Sequence, residues 1–227
     1  MLRVTVVTIF PEFFEAPLAL SIPARAAAAG AVSYRIVNLR DYTHDKHRSV
    51  DDYPYGGGSG MVMKPAPFFE AVEALDAQPP IVLLSARGRH FTHDDAMRYA
   101  VGAELTLLCG HYKDVDQRVA DHLASEERSL GDFVLSGGEA AALAVIDATV
   151  RLLPGAMTDP ESARSDSFYA RGISAPSYTR PPEYRGHAVP EVLLSGDHAR
   201  IAEWRRVEGE RMTKIRAEQS SGPGERG

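Results

Sequence analysis

Cysteine is almost absent from this chain. Cys109 is the only one in 227 residues, so there can be no intrachain disulfide and no cysteine-built zinc site. No apolar run approaches the ~20 residues that a membrane-spanning helix needs. Met1-Leu2-Arg3-Val4-Thr5-Val6-Val7 enters a strand-like stretch directly, without the basic start, apolar stretch and cleavage site of a secretory signal. These absences predict a cytoplasmic protein with no membrane partner. Three catalytic signatures are missing too. No G-x-G-x-x-G follows a strand, which argues against a dinucleotide-binding oxidoreductase, and there is neither a G-x-x-x-x-G-K-[ST] phosphate loop nor a G-x-S-x-G hydrolase elbow. Basic charge is in short supply: the formal net charge of −6 excludes a non-specific nucleic-acid coat. An enzyme that grips one RNA locally remains compatible with that balance. Residues 175–227 carry nine Lys/Arg and eight Asp/Glu, a net +1, and leave −7 to the rest of the chain.

The residues present, 44% apolar and 25% charged, suit a globular chain of one large domain with an appendage. Strand-like and helix-like segments alternate. Leu2–Ile9 and Val32–Leu39 read as strands, and Glu12–Ala29 between them as one helix stopped by Gly30. Residues 38–64 are polar and hold Gly56-Gly57-Gly58-Ser59-Gly60, a long loop of the kind that usually carries function. Then follow a helix Pro65–Leu75, a strand Ile81–Ser85, a helix Thr92–Val101, a strand Glu104–Cys109, a helix Val115–Leu123, a short strand Phe133–Ser136 and an Ala-rich helix Gly138–Leu153 closed by Pro154. This order predicts an α/β fold with a parallel sheet. Residues 155–182, rich in Gly, Pro, Ser and Arg, read as a linker. Beyond a short apolar stretch, Glu191–Leu194, a helix is expected over Asp197–Ala217, with Ile201, Trp204, Val207, Met212 and Ile215 on one side. Trp204 would centre a small helical core.

Glycines recur where strands end: in Leu84-Ser85-Ala86-Arg87-Gly88, in Cys109-Gly110-His111-Tyr112 and in Leu130-Gly131-Asp132-Phe133-Val134-Leu135-Ser136-Gly137-Gly138. Ligands of open α/β sheets bind beyond the carboxyl ends of strands, and glycine lets them approach bare backbone. Three such loops suggest one pocket; tight turns alone are the competing reading. Cys109, at the end of an apolar strand, reads as packing. Arg151, in the last turn of the Ala-rich helix, complements the helix dipole. His44 and His47 form only an H-x-x-H in a loop, so no metal ligand is assigned.

The ordered set of motifs resembles the bacterial tRNA (guanine-N1-)-methyltransferases of the SPOUT superfamily. It comprises Thr8-Ile9-Phe10-Pro11-Glu12-Phe13-Phe14, Asp52-Tyr53-Pro54-Tyr55-Gly56-Gly57-Gly58-Ser59-Gly60-Met61, Cys109-Gly110-His111-Tyr112, Gly131 through Glu139, Arg151-Leu152-Leu153-Pro154-Gly155, Glu161-Ser162 with Asp166-Ser167-Phe168, Tyr178-Thr179-Arg180-Pro181 and Val189 through His198. The resemblance runs over about residues 1–217. It implies a SPOUT-type parallel sheet with a trefoil knot and a small helical domain behind it. It implies a homodimer with active sites at the interface, tRNA as substrate, S-adenosylmethionine as methyl donor, and assistance by magnesium, for which no complete ligand set is visible. The implied reaction is methylation of N1 of guanine 37, just 3′ of the anticodon, with Asp166 as general base and Arg151 stabilising O6.

By the same resemblance the donor would be held by Leu84, Ser85, Gly110, Tyr112, Asp114, Leu130, Gly131, Asp132, Phe133, Val134, Leu135, Gly137 and Gly138. Substrate would be met by Gly58, Ser59, Gly60, Ser162, Arg180 and His198. The implied domains are a catalytic one over 1–154, a linker with the catalytic acid over 155–177, an RNA-gripping helical one over 178–217, and a disordered tail over 218–227. The chain departs from the family pattern in places: Lys113-Asp114 stands where the family usually has Glu-Gly, Gln117 where it has a glutamate, Ser59 and Ala141 where proline is common, and Asp197 where asparagine is common. Two other readings are a related knotted methyltransferase for another RNA, which should lack the Glu-Ser…Asp-Ser-Phe segment, and a non-catalytic RNA-binding protein, against which Arg151 and Asp166 argue.

Overall fold

The computed structural model describes residues 1–157, 159, 165–169 and 172–221, which fall into two compact units, Met1–Pro160 and Glu161–Gly227. In the first unit five strands form one parallel sheet: β1 Leu2–Thr8, β2 Val32–Asn38, β5 Ile81–His90, β6 Glu104–Cys109 and β8 Glu126–Ser129, in the order β2-β1-β6-β5-β8. Their near-continuous runs of β-branched and leucine residues suit strands covered on both faces. Alternation then sorts the side chains. Val4, Val6, Val82, Leu84, Leu105 and Leu107 point to one face, where α2 (Ser21–Ala28), α4 (His93–Ala100) and α6 (Glu139–Val150) cover them. Val7, Ile81, Leu83 and Leu108 point to the other, against Phe68, Ala71 and Val72 of α3 (Pro65–Ala74) and Val119 of α5 (Gln117–His122).

Several expectations need correction. The helix expected over Glu12–Ala29 is a 3-10 turn, Pro11–Phe14, and two helices, α1 Glu15–Leu18 and α2. Ser21 has φ +51° and Pro23 follows it, and a proline inside a continuous helix would lose a hydrogen bond and clash with the preceding turn. The long polar loop contains two short strands, β3 Asp51–Asp52 and β4 Val62–Met63, and β4 pairs with β7, Asp114–Val115. The helix expected from Val115 therefore begins only at Gln117, capped by the Asp116 side chain, which accepts from the Arg118 N–H. Phe133–Ser136 is no strand: Phe133, Val134 and Leu135 are exposed. The fifth strand is Glu126–Ser129, whose charged sequence hides it. Its Arg128 is buried because Asp95 and Glu126 neutralise it.

β5 also outruns its expected end. Its register against β8 shifts between Leu84 and Arg89, and Gly88 lies against the β8 backbone, where a Cβ would stand 2.4 Å from the Arg128 nitrogen. After β8, at the sheet edge, the chain returns towards the middle of the sheet: the Gly138 N–H donates to the Gly110 carbonyl at 2.8 Å.

The second unit has a hairpin, Glu183–Tyr184 with His187–Ala188, a short helix Glu191–Leu194 and a long helix His198–Ser221. The helix runs past the expected start of a disordered tail at residue 218; residues 222–227 lie outside the described residues. Part of the expected linker belongs to this unit. The Ile173 N–H donates to Thr213 Oγ1 at 2.8 Å, and Tyr178 meets Trp204 with ring centroids 6.3 Å apart. No described residue beyond Ala156 is fully buried, and Trp204 is only half-buried, so the expected helical core around it is not a closed one.

Candidate active site

Beyond the carboxyl ends of β5, β6 and β8, three loops line one cleft: Leu84–Arg87, Gly110–Asp114 and Leu130–Gly138. Of the residues proposed to hold the donor, all but Gly131 and Asp132 face it. Asp132 projects outward and pairs with His90 at 3.0 Å. Apolar side chains from Leu84, Leu130, Val134 and Leu135 share the cleft with backbone from Gly110, Gly137 and Gly138 and with the Asp114 carboxylate. Arg87 holds that carboxylate at 2.8 Å, and Asp114 Oδ1 accepts from the Val115 N–H. Apolar walls beside backbone polar groups suit a flat heterocycle with polar edges, and a carboxylate at the rim suits an ammonium. This donor set fits S-adenosylmethionine.

The glycines prove to be required by packing rather than by turns alone. A Cβ on Gly138 would stand 2.8 Å from Cys109 Cα, and one on Gly137 would stand 2.3 Å from both Glu139 Oε2 and His111 Nδ1. The loops after β6 and β8 can touch only because both positions are bare. Tyr112, by contrast, takes φ +60° with a full side chain, which turns the loop sharply and leaves its ring 44% exposed.

Beneath the cleft, Glu139 opens α6 with only 4% of its surface exposed, and its Oε1 accepts from Thr8 Oγ1–H at 2.7 Å. Burial, reinforced by the nearby Glu139 charge, pushes the Cys109 thiol well up, so this cysteine stays protonated and inert. Neither Glu139 nor His111 was assigned a role from the sequence. The available signal was an acid at the start of an otherwise apolar helix.

The other assigned residues divide between the two units. Gly58, Ser59 and Gly60 form an exposed turn packed over the Lys113 stem, with a Gly60 Cβ position 3.2 Å from Lys113 Cβ. Arg151 caps the carboxyl end of α6. Asp166, Arg180 and His198 belong to the second unit, and Ser162 lies outside the described residues. Asp166 is half-buried and borders a groove of about 1520 Å³ between residues 172–182 and the long helix. That groove is larger than the cleft over the sheet, and Arg180, Arg205, Glu210 and Lys214 line it beside Asp166. Among the described residues no three His, Cys, Asp or Glu side chains cluster as a metal site, and Gln117 bonds Asp121 at 2.8 Å. No helix among them is long and apolar enough to cross a membrane.

A parallel α/β sheet with a glycine-lined cleft at its carboxyl edge defines a small-molecule-binding α/β enzyme class. More particularly, the chain belongs to the tRNA (guanine-1)-methyltransferase TrmD family, whose sequence profile matches residues 2–220. It is 51% identical over 216 residues to a tRNA (guanine-N(1)-)-methyltransferase of Dehalococcoides mccartyi, covering 93% of this chain and 87% of that one. A namesake from Gloeobacter violaceus is 52% identical over 221 residues, 95% of each chain. One from Bacillus subtilis is 47% identical over 219 residues, 95% of this chain and 90% of the other.

Proposed function

We propose that this protein transfers a methyl group from S-adenosylmethionine to N1 of guanine 37 of tRNA. Family membership over nearly the whole chain carries the reading, and the convergence of the three loops on one cleft supports it. Guanine N1 holds a proton at neutral pH and is not a nucleophile until that proton leaves. Asp166 would accept it as general base. Negative charge then accumulates on O6, where the Arg151 guanidinium would stabilise it. The donor, when bound, supplies a methyl on a sulfonium, which leaves as a neutral thioether. The remaining task of the protein is alignment.

The finer features follow the same reading. Residues 1–154 form the catalytic domain. Residues 155–177 bring Asp166, and residues 178–217 grip the RNA, with Gly58, Ser59, Gly60, Ser162, Arg180 and His198 meeting it. The return of the chain from β8 to Gly110 across β5 supports a trefoil knot. The exposed Phe10, Phe13 and Leu20 support a homodimer. Magnesium would assist the transfer. The place of action is the cytoplasm, where tRNA is matured.

The test is incubation with methyl-labelled S-adenosylmethionine and unmodified tRNA, followed by nucleoside analysis. Label in 1-methylguanosine, lost when position 37 is changed, is expected. Label in another nucleoside, or none, overturns the reading.

A further inference from the structure

Three side chains from three elements form a row under the cleft floor. Thr8, the fully buried last residue of β1, donates to Glu139 Oε1 at 2.7 Å. Glu139 Oε2 faces His111 Nδ1 at 3.6 Å. That ring nitrogen is buried and has no hydrogen-bond partner. Gly137 approaches both atoms so closely that a Cβ there would stand 2.3 Å from each, and only glycine leaves room for them to face each other. The imidazole is braced edge-on by Phe10, with centroids 5.0 Å apart, and by Tyr112, at 5.4 Å.

A buried carboxylate needs partners, and a buried ring nitrogen without one is costly. The first turn of a twelve-residue helix, together with the Thr8 hydroxyl, meets part of that need for Glu139. The contact with His111 is longer than the ~2.7–3.2 Å of a made N–H···O bond. The missing bond is therefore within part of an ångström of forming. His111 sits on the loop after β6, and Glu139 opens α6 two residues beyond Gly137, which bridges to His111. A ligand in the cleft would touch both loops and draw them together.

We propose that Glu139 and His111 form a latch that closes when the methyl donor binds. His111 is a positioning residue: its Nδ1–H is taken up by the Glu139 carboxylate, and the bond ties the loop after β6 to the start of α6. Thr8 holds the other carboxylate oxygen, so the latch rests on the sheet. The inference rests on the proposed function, because it takes S-adenosylmethionine as the occupant of the cleft.

The Nδ1 proton of His111 reports the latch directly. Nitrogen-15 spectra of the native, histidine-labelled protein should show a hydrogen-bonded proton on Nδ1 of His111 when S-adenosylmethionine is bound, and no such bond without it. Calorimetry on variants gives the second readout. His111→Asn can donate from nearly the same place and should keep donor affinity within about threefold of native. His111→Phe should weaken it by about tenfold or more, the scale of one charge-assisted hydrogen bond, with kcat at saturating donor little changed. Adding Glu139→Leu to His111→Phe should cost no further affinity, as coupled residues are not additive. An Nδ1 without a hydrogen-bonded proton when donor is bound, or an Asn variant as weak as the Phe variant, overturns the latch alone. Failure of the native protein to bind S-adenosylmethionine overturns the proposed function and the latch together. The spectra need no variant to fold.

Discussion

Arg128 and Asp95 meet at 3.1 Å with side chains only 9% and 4% exposed, joining the edge strand β8 to the start of α4. Glu126 completes the pairing of Arg128 and takes two bonds of 2.7 Å from Arg98. Burial by itself would raise the Asp95 carboxyl, but hydrogen bonds from Arg98 and Thr92 outweigh it and hold the group below its ordinary value. Glu126 behaves alike: burial raises it, and Arg98 and Arg128 bring it down. Carboxyls depressed in the folded state stabilise the protein above their unfolded values, about 3.9 and 4.3, and lose that contribution as pH falls through the lower folded values. Urea midpoints should therefore stay level from pH 7 to about 5 and drop below about 4. Asp95→Asn should cost about 3 kcal/mol at pH 7, near the low end for a broken buried pair because Glu126 still serves Arg128. It should also flatten the acid limb. An unchanged acid limb would remove Asp95 from this account.

Two glycines should respond differently to a single methyl group. At Gly88 every near neighbour of an added Cβ is β8 backbone, at 2.4 to 2.6 Å. Relief there requires moving a strand, so Gly88→Ala should lower stability by about 3 kcal/mol, the upper part of the overpacking range. Gly138→Ala meets Cys109 Cα at 2.8 Å beside the cleft. It should cost less stability but weaken donor binding, because it pushes apart the loops that form the cleft. Thermal melts and calorimetry on the two variants give the comparison.

Asp166→Asn keeps shape and loses the base. A fall of about 10²–10⁴ in single-turnover rate is expected, with donor affinity near native. Near-native turnover would take Asp166 out of the proton transfer.

Mixing Arg151→Ala subunits with Asp166→Asn subunits tests whether one site draws on both chains of the proposed dimer. If the two side chains reach a common site from opposite subunits, mixed dimers regain one intact site and activity returns. Persistent inactivity of the mixture would assign both residues to one chain.

Cations of the second unit are unequal candidates for RNA binding. Arg206 is occupied by Glu203 and Glu210, and Arg211 by Glu208, all on the same helix. Arg180, Arg200, Arg205 and Lys214 have no carboxylate partner among the described residues. Alanine at Arg200, Arg205 and Lys214 together should reduce tRNA affinity and flatten its log–log salt dependence by about 0.7–0.9 for each phosphate no longer neutralised. Arg206→Ala should do much less. Equal losses from both would remove the distinction between paired and unpaired cations, and no loss from either would place the RNA elsewhere on the chain.

Much of the first unit was legible because its strands advertise themselves. Val4-Thr5-Val6-Val7 and Leu105-Thr106-Leu107-Leu108 are uncharged runs that only a doubly covered sheet can bury. β8 was not legible, since Glu126-Glu127-Arg128-Ser129 reads as surface until Asp95 and Arg98, distant in sequence, arrive to neutralise it. The apolar Phe133-Val134-Leu135 misled in the opposite direction: it lines the cleft instead of entering the sheet.

By itself the sequence determined the α/β class, the places where strands give way to glycine loops, and, through its ordered motifs, the family. These are local properties: side-chain periodicity and the identity of residues at short spacing. Only the tertiary structure decided that the three loops share one cleft, that Gly137 and Gly138 are bare so that two loops can touch, and that Thr8, Glu139 and His111 stand in a row. Such relations depend on crossover connections that bring residues far apart in sequence, Thr8 and Glu139 above all, within a few ångströms of each other, and no local pattern encodes that distance.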